Sequence, residues 1–123
     1  MSVNEKKSGH VSIVNRLFID LIGNSQSLKI FLTKSCGLEL LFTLDELASK
    51  QVDNGIDDTY ECIVYFKPKR AAFSQFCSIL RDSGVIEYAP STTKKSKRIL
   101  RLSEGSIQQL SDVRIQFAKT VAP

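Results

Sequence analysis

Between Lys67 and Leu102 the sequence runs through an amphipathic helix, a glycine stop and two short β-forming stretches, an order that leaves few folds open. Phe73, Phe76, Cys77 and Leu80 recur at the spacing of one helix face. Pro68 suits the first turn of that helix, where its missing N–H costs nothing. Ser83-Gly84 ends it, with Gly84 placed as a left-handed cap. The spacing therefore predicts a helix over about 68–83. Lys69, Arg70, Ser74, Gln75, Ser78 and Arg81 fall off the apolar stripe and face outward. Val85–Tyr88 and Arg98–Leu102 read as two strands, and the polar, cationic stretch Ala89–Lys97 reads as the loop of their hairpin.

Helices are expected on both sides of this unit. Val11, Val14, Leu17, Phe18, Leu21 and Ile22 predict one from His10 to Leu21, stopped by Gly23-Asn24. Leu28–Thr33 is ambiguous between a short helix and a strand, and Gly37 breaks it. Thr43 and Glu46 form a capping box that opens a helix from Leu44 to about Lys50, after the apolar run Leu38–Phe42. Thr59–Phe66 is rich in β-branched and aromatic residues, and propensity assigns it to a strand, with a short buried helix as the alternative. A second capping box, Ser106 with Gln109, opens a last helix that runs to about Lys119. The fold class is mainly α with a small β-hairpin (α+β): a disordered tail over residues 1–9 and a single domain over 10–120.

Charge is distributed unevenly. From Lys67 to Arg101, nine basic residues stand against Asp82 and Glu87 alone, so the remainder of a chain of formal charge +4 is net acidic. The acids concentrate at Asp45, Glu46, Asp53, Asp57, Asp58 and Glu61, with Lys50 the one base among them. A chain polarised in this way is expected to present one face to a polyanion and keep it off another.

Enzyme chemistry and metal binding find little to work with. The glycines are scattered and form no phosphate-binding loop. A nucleophile–histidine site would have to use His10, the one histidine, in the expected tail. Cys36, Cys62 and Cys77 are odd in number and widely spaced, which fits apolar packing better than a disulfide framework or a zinc site. No cofactor or small-molecule ligand is expected. No apolar run reaches the roughly 18 residues of a membrane span, and MSVNEKKSGH is not followed by a signal-peptide core. The expected location is the cytoplasm in association with the nucleoid, or the nucleus of a eukaryote.

Three passages resemble the winged helix-turn-helix superfamily of DNA-binding proteins. Phe42-Thr43-Leu44-Asp45-Glu46-Leu47-Ala48 looks like the opening of its helix before the turn. Ala71 to Ile86 is similar to its recognition helix, which closes on a leucine, then a glycine, then an aliphatic pair. Arg98-Ile99-Leu100-Arg101-Leu102-Ser103-Glu104-Gly105 looks like its second wing strand. The likeness covers about residues 42–50 and 67–110. The family joins the two helices of the motif by a few residues, whereas Gln51–Lys67 intervenes here. Either that segment is an insertion, or a helix around Thr59–Phe66 takes the place of Leu44–Lys50 before the turn.

The resemblance implies a winged helix-turn-helix with additional N- and C-terminal helices. It also implies sequence-specific binding of double-stranded DNA by a transcriptional regulator or a plasmid, phage or chromosome-maintenance factor. The residue types agree on their own terms. An α-helix enters the major groove, where Gln75 addresses adenine and Arg70 guanine. Lys67, Lys69, Ser74, Ser78 and Arg81 complete that face. On the wing, over 89–98, Lys94, Lys95, Lys97 and Arg98 reach phosphates or the minor groove. Phe73 and Phe76 are expected in the core, and Tyr60, Tyr65 and Tyr88 are expected to pack rather than stack on bases. The apolar faces of the first and last helices predict a homodimer reading two half-sites. The rival expectations are an interaction module of a larger complex and the DNA-binding domain of a replication initiator.

Overall fold

A computed structural model describes residues 16–91, 93, 94 and 96–122. Helix α1 covers residues 16–23 and is followed by a 3₁₀ turn, Lys29–Thr33. Then come α2 (Gly37–Ser49), α3 (Ile56–Cys62), α4 (Arg70–Asp82), the strands β1 (Ile86–Pro90) and β2 (Arg98–Leu102), and α5 (Glu104–Val121). The protein is mainly helical with one antiparallel two-stranded hairpin, as the α+β expectation has it. The expected tail over 1–9 and the first part of the helix from His10 lie outside the described residues.

One core joins these elements. Leu40, Leu41 and Leu44 of α2, Phe73, Phe76, Cys77 and Leu80 of α4, and Ile86, Leu100 and Leu102 of the hairpin are all buried in it, with Leu110 and Val113 of α5 beneath them. The apolar stripe of α4 is thus buried as its spacing required. Gly84 ends α4 at φ +79°. The Val85 N–H donates to the Leu80 carbonyl at 3.1 Å and that of Gly84 to Arg81 at 2.9 Å, which closes the helix and turns the chain into β1. The hairpin pairs Ile86 with Leu102, Tyr88 with Leu100 and Pro90 with Arg98. The free edge of β2 is bonded in turn to Asn54. The Leu100 N–H donates to the Asn54 carbonyl at 2.8 Å, and the buried Asn54 amide donates back to the Leu100 carbonyl at 2.9 Å.

Three local expectations need correction. Thr43 caps nothing: it lies inside α2, which starts at Gly37. The run Leu38–Phe42 and the helix after it are one amphipathic element, begun where a glycine lets the backbone approach the Phe31 carbonyl. A Cβ on Gly37 would sit 1.4 Å from that oxygen. The last helix starts at Glu104 rather than Ser106. Its cap is Ser103, whose Oγ accepts the Ser106 N–H at 3.3 Å. Ser106 is buried inside the helix and donates to the Val85 carbonyl at 2.8 Å. Pro68 precedes α4 instead of opening it, since the helix begins at Arg70 with Lys69 as its cap residue.

The largest correction concerns Thr59–Phe66, which is not a strand. Its first part belongs to α3, Ile63 is extended, and Tyr65-Phe66 make a turn. The chemistry at the helix start outweighs β propensity. The Asp58 carboxylate accepts the Gly55 N–H at 3.0 Å, and Asp57 and Asp58 set negative charge against the N-terminal end of the dipole. Buried Thr59 satisfies its hydroxyl on the Gly55 carbonyl at 2.8 Å. The alternative of a helix in this segment is the one that holds, although it begins and ends earlier than Thr59–Phe66. It is short and only partly buried.

Candidate nucleic-acid interface

The candidate site is built from α4, the connector 63–69 before it, and the end of the hairpin. Burial of Phe73, Phe76, Cys77 and Leu80 turns Ala71, Gln75, Ser78 and Asp82 directly outward. Arg70, Ser74 and Arg81 lie along one flank of this stripe by helical spacing, and Ala72 and Ile79 along the other. Two small residues near the start of the helix keep its first turns slim.

The predicted cations do not all stand free. Arg70 donates through Nε to Asp57 at 3.0 Å, and its guanidinium also meets the Ser74 hydroxyl and lies 5.6 Å from the Tyr60 ring. Arg70, expected to address a guanine, is engaged here as an anchor between α4 and α3. Lys67 sits 4.4 Å above the Tyr60 ring with Glu61 at 3.5 Å. Lys97 lies 2.9 Å from Asp58. Arg81 is 5.8 Å from the Tyr88 ring and 3.7 Å from Asp82, a long pair. Lys69, Lys94 and Arg98 are exposed and in no ion pair among the described residues, and Gln75 and Ser78 are exposed as expected. Lys95 lies outside the described residues.

The acidic segment is therefore not on a face of its own, which corrects the polarised picture drawn from charge. Asp57, Asp58 and Glu61 of α3 reach into the basic set. Asp53 joins them by accepting from the hydroxyls of Ser91 and Thr93, which ties the hairpin loop to the segment before α3. Those two hydrogen bonds, Ser91 first, hold the Asp53 carboxyl below its ordinary value. The bond from Lys97, with that from the Gly55 N–H, does the same for Asp58. Ser91, Thr93 and Lys97 are thus held by side-chain contacts beside the strand pairing that ends at Pro90 and Arg98.

Two of the three cysteines are buried. Burial pushes the Cys77 thiol up to about 12, and burial likewise raises that of Cys36. Cys62 is exposed at the end of α3.

Two features escaped sequence reasoning. Tyr65, expected to pack, is 84% exposed, between Val64 at 68% and Phe66 at 65%. Glu39, in the first turn of α2, accepts the N–H groups of Val64 at 2.8 Å, Tyr65 at 3.1 Å and Phe66 at 3.4 Å. No local pattern connects an acid in one helix to a turn so far along the chain. By contrast Tyr60 packs as expected, 5.1 Å from the Phe73 ring, with its hydroxyl donating to the Pro68 carbonyl at 2.7 Å.

Comparison of the chain with protein-family models, with curated proteins and with solved structures finds no match in any of the three. Among the described residues, no helix is long and apolar enough to cross a membrane.

Proposed function

We propose that the chain is a winged helix-turn-helix protein that binds double-stranded DNA, with α3 and α4 as the two helices of the motif and the β1–β2 hairpin as the wing. The observation that carries this reading is α3 itself. The Gln51–Lys67 gap that separated the sequence from the family pattern contains a helix directly before α4, joined to it by residues 63–69 and clamped to it by Arg70 and Asp57. The order helix, short connector, helix, hairpin then needs no inserted segment. In this assignment Gln75, Ser78 and Ser74 meet base edges, while Lys69, Arg81, Lys94 and Arg98 meet phosphates. Lys67 and Lys97 join them only by leaving their carboxylate partners.

The test is duplex binding by fluorescence anisotropy across a salt series. Each phosphate contact contributes about −0.9 to the slope of log affinity against log salt. Lys69→Ala, Lys94→Ala and Arg98→Ala are each expected to weaken binding and make that slope shallower by about 1. Gln75→Ala is expected to change sequence preference with the slope unchanged. Absence of affinity for any duplex at low salt rejects the proposal.

The homodimer belongs to the same proposal. Phe18 of α1 packs 5.2 Å from Phe117 of α5 and 5.8 Å from Phe42, so part of the apolar surface that suggested a dimer is used within one chain. Ile19, Ile115 and Val121 remain exposed on these helices. Sedimentation of the DNA complex distinguishes one bound chain from two. The rival reading, an interaction module within a larger assembly, draws its support from the exposed connector Val64–Phe66.

A further inference from the structure

Three consecutive large apolar side chains in water are costly, and a run of this kind marks a contact surface. Val64, Tyr65 and Phe66 form such a run on the connector between α3 and α4. The Glu39 carboxylate braces their backbone through three successive N–H groups. The rings are therefore presented on an ordered turn, and docking against them sacrifices little conformational freedom. Beside the turn a groove of about 440 Å³ opens onto the flank of α4 that points away from the Arg70–Arg81 row. Phe66 and Pro68 form one wall, and Ala72, Phe76 and Ile79 the other. Ile79 is 43% exposed there, in the last turn of a helix whose other large apolar residues are buried. Lys34 and Lys67 complete the lining together with small and polar residues, and no acid takes part.

Charge decides what fits. A second copy docked by twofold symmetry would set this acid-free, lysine-bearing groove against the same groove. Residues 1–15 of the chain carry Glu5 against Lys6 and Lys7, so they offer no acidic surplus. A nucleic acid satisfies the lysines but leaves the aliphatic wall of Ala72 and Ile79 without a partner. We propose that this groove docks an amphipathic helix of another protein, with aliphatic residues on one face and Asp or Glu on its flanks. The aliphatic face lies on Phe66, Ala72 and Ile79, and the acids meet Lys34 first, and Lys67 by displacing its 3.5 Å contact with Glu61. Lys67 and Gln75 belong both to this groove and to the proposed DNA-binding face, so the two ligands would compete, but the proposal does not require DNA binding.

Selection from a displayed library of random peptides about 16 residues long tests the proposal, with the full chain as bait. Ile79→Glu, a change at an exposed position, serves as counter-bait. Recovered peptides are expected to share aliphatic residues at helical spacing and a net negative charge. Their affinity is expected to fall about tenfold on Ile79→Glu or Phe66→Ala, with the circular dichroism of the chain unchanged. It is expected to fall about threefold on joint replacement of Lys34 and Lys67 by alanine. No enrichment, or enriched peptides that lack acids or ignore these variants, overturns the proposal. So does a dimer of the free chain that Ile79→Glu dissociates, which would assign the groove to a second copy. A single-stranded oligonucleotide that loses affinity on Phe66→Ala, while no peptide binds, would assign it to nucleic acid.

Discussion

The Lys97 ammonium lies 2.9 Å from the Asp58 carboxylate, so the hairpin loop is tied to the helix that precedes α4. Asp58 also caps its own helix through the Gly55 N–H. One acid therefore fixes a helix start and neutralises a cation that DNA binding by the wing would use. Removing the charge frees Lys97 for a phosphate. Asp58→Asn is expected to raise duplex affinity about threefold to tenfold at low salt and to steepen the salt slope by about 1. Anisotropy titrations at several salt concentrations check both numbers, and unchanged or weaker binding would remove Lys97 from the interface.

Acidification acts on the same braces. Asp53 and Asp58 both titrate below their ordinary value of 3.8 in the folded chain. A depressed carboxyl contributes stability that is fully present above the unfolded value and is lost as pH falls through the folded one. The loop should therefore stay braced at neutral and mildly acid pH and loosen only below about pH 4. Amide exchange at Thr93 and Lys94 checks this, because both N–H groups are held by the Ser91 hydroxyl that donates to Asp53. Asp53→Asn is expected to give at neutral pH the lower protection, relative to the intrinsic exchange rate at each pH, that the unaltered chain shows only in acid. Equal exchange in the two chains at neutral pH would separate the loop from Asp53.

A single methyl group at Gly37 meets backbone rather than a movable side chain. The Cβ position lies 1.4 Å from the Phe31 carbonyl oxygen and 2.5 Å from its carbon. Either the 3₁₀ turn or α2 must shift, and both carry buried core residues, Phe31 in the turn and Leu40 and Leu41 in the helix. Gly37→Ala is expected to cost about 3 kcal/mol in urea unfolding, the upper range for overpacking. Gly84→Ala meets no atom within 4 Å but keeps a φ of +79°, and is expected to cost only about 1–2 kcal/mol. The ratio of the two separates steric clash from backbone strain.

The sequence shows most clearly those elements whose cause is local. Phe73, Phe76, Cys77 and Leu80 announce α4 by periodicity, and Gly84 announces its end because only a left-handed residue turns that helix into β1. Both strands likewise follow from short apolar runs around a polar loop. Thr43 and Ser106 misled because each sits three residues before Glu or Gln, a pattern that also occurs inside a helix already under way. Thr59–Phe66 misled for another reason: its β-formers follow Asp57 and Asp58, whose capping and dipole terms belong to residues upstream of the apolar run. In the site, the outward face of α4 was legible from its buried face. The ion pairs of Lys67, Arg70 and Lys97 were not, since each depends on how α3 sits against its neighbours.

Glu39 makes the most distant of these connections, and it gives the sharpest prediction for the connector. Its two carboxylate oxygens accept three successive N–H groups, those of Val64, Tyr65 and Phe66, and are the only polar partners of those groups among the described residues. A glutamine offers one acceptor oxygen and turns an N–H₂ group toward the remaining donors. Hydrogen bonds to a charged group contribute about 1.5–3 kcal/mol each when well formed, and the longer ones here contribute less. Glu39→Gln is therefore expected to lower unfolding stability by about 1–2 kcal/mol. It should also speed amide exchange at Val64, Tyr65 and Phe66 while leaving that of Phe73 and Leu80 governed by global unfolding. If the groove along α4 takes a helical partner, the same substitution should weaken that partner without touching any side chain in contact with it, because the aromatic turn is then ordered only on binding. Retained peptide affinity in the Glu39→Gln chain would show that the brace supports the fold alone.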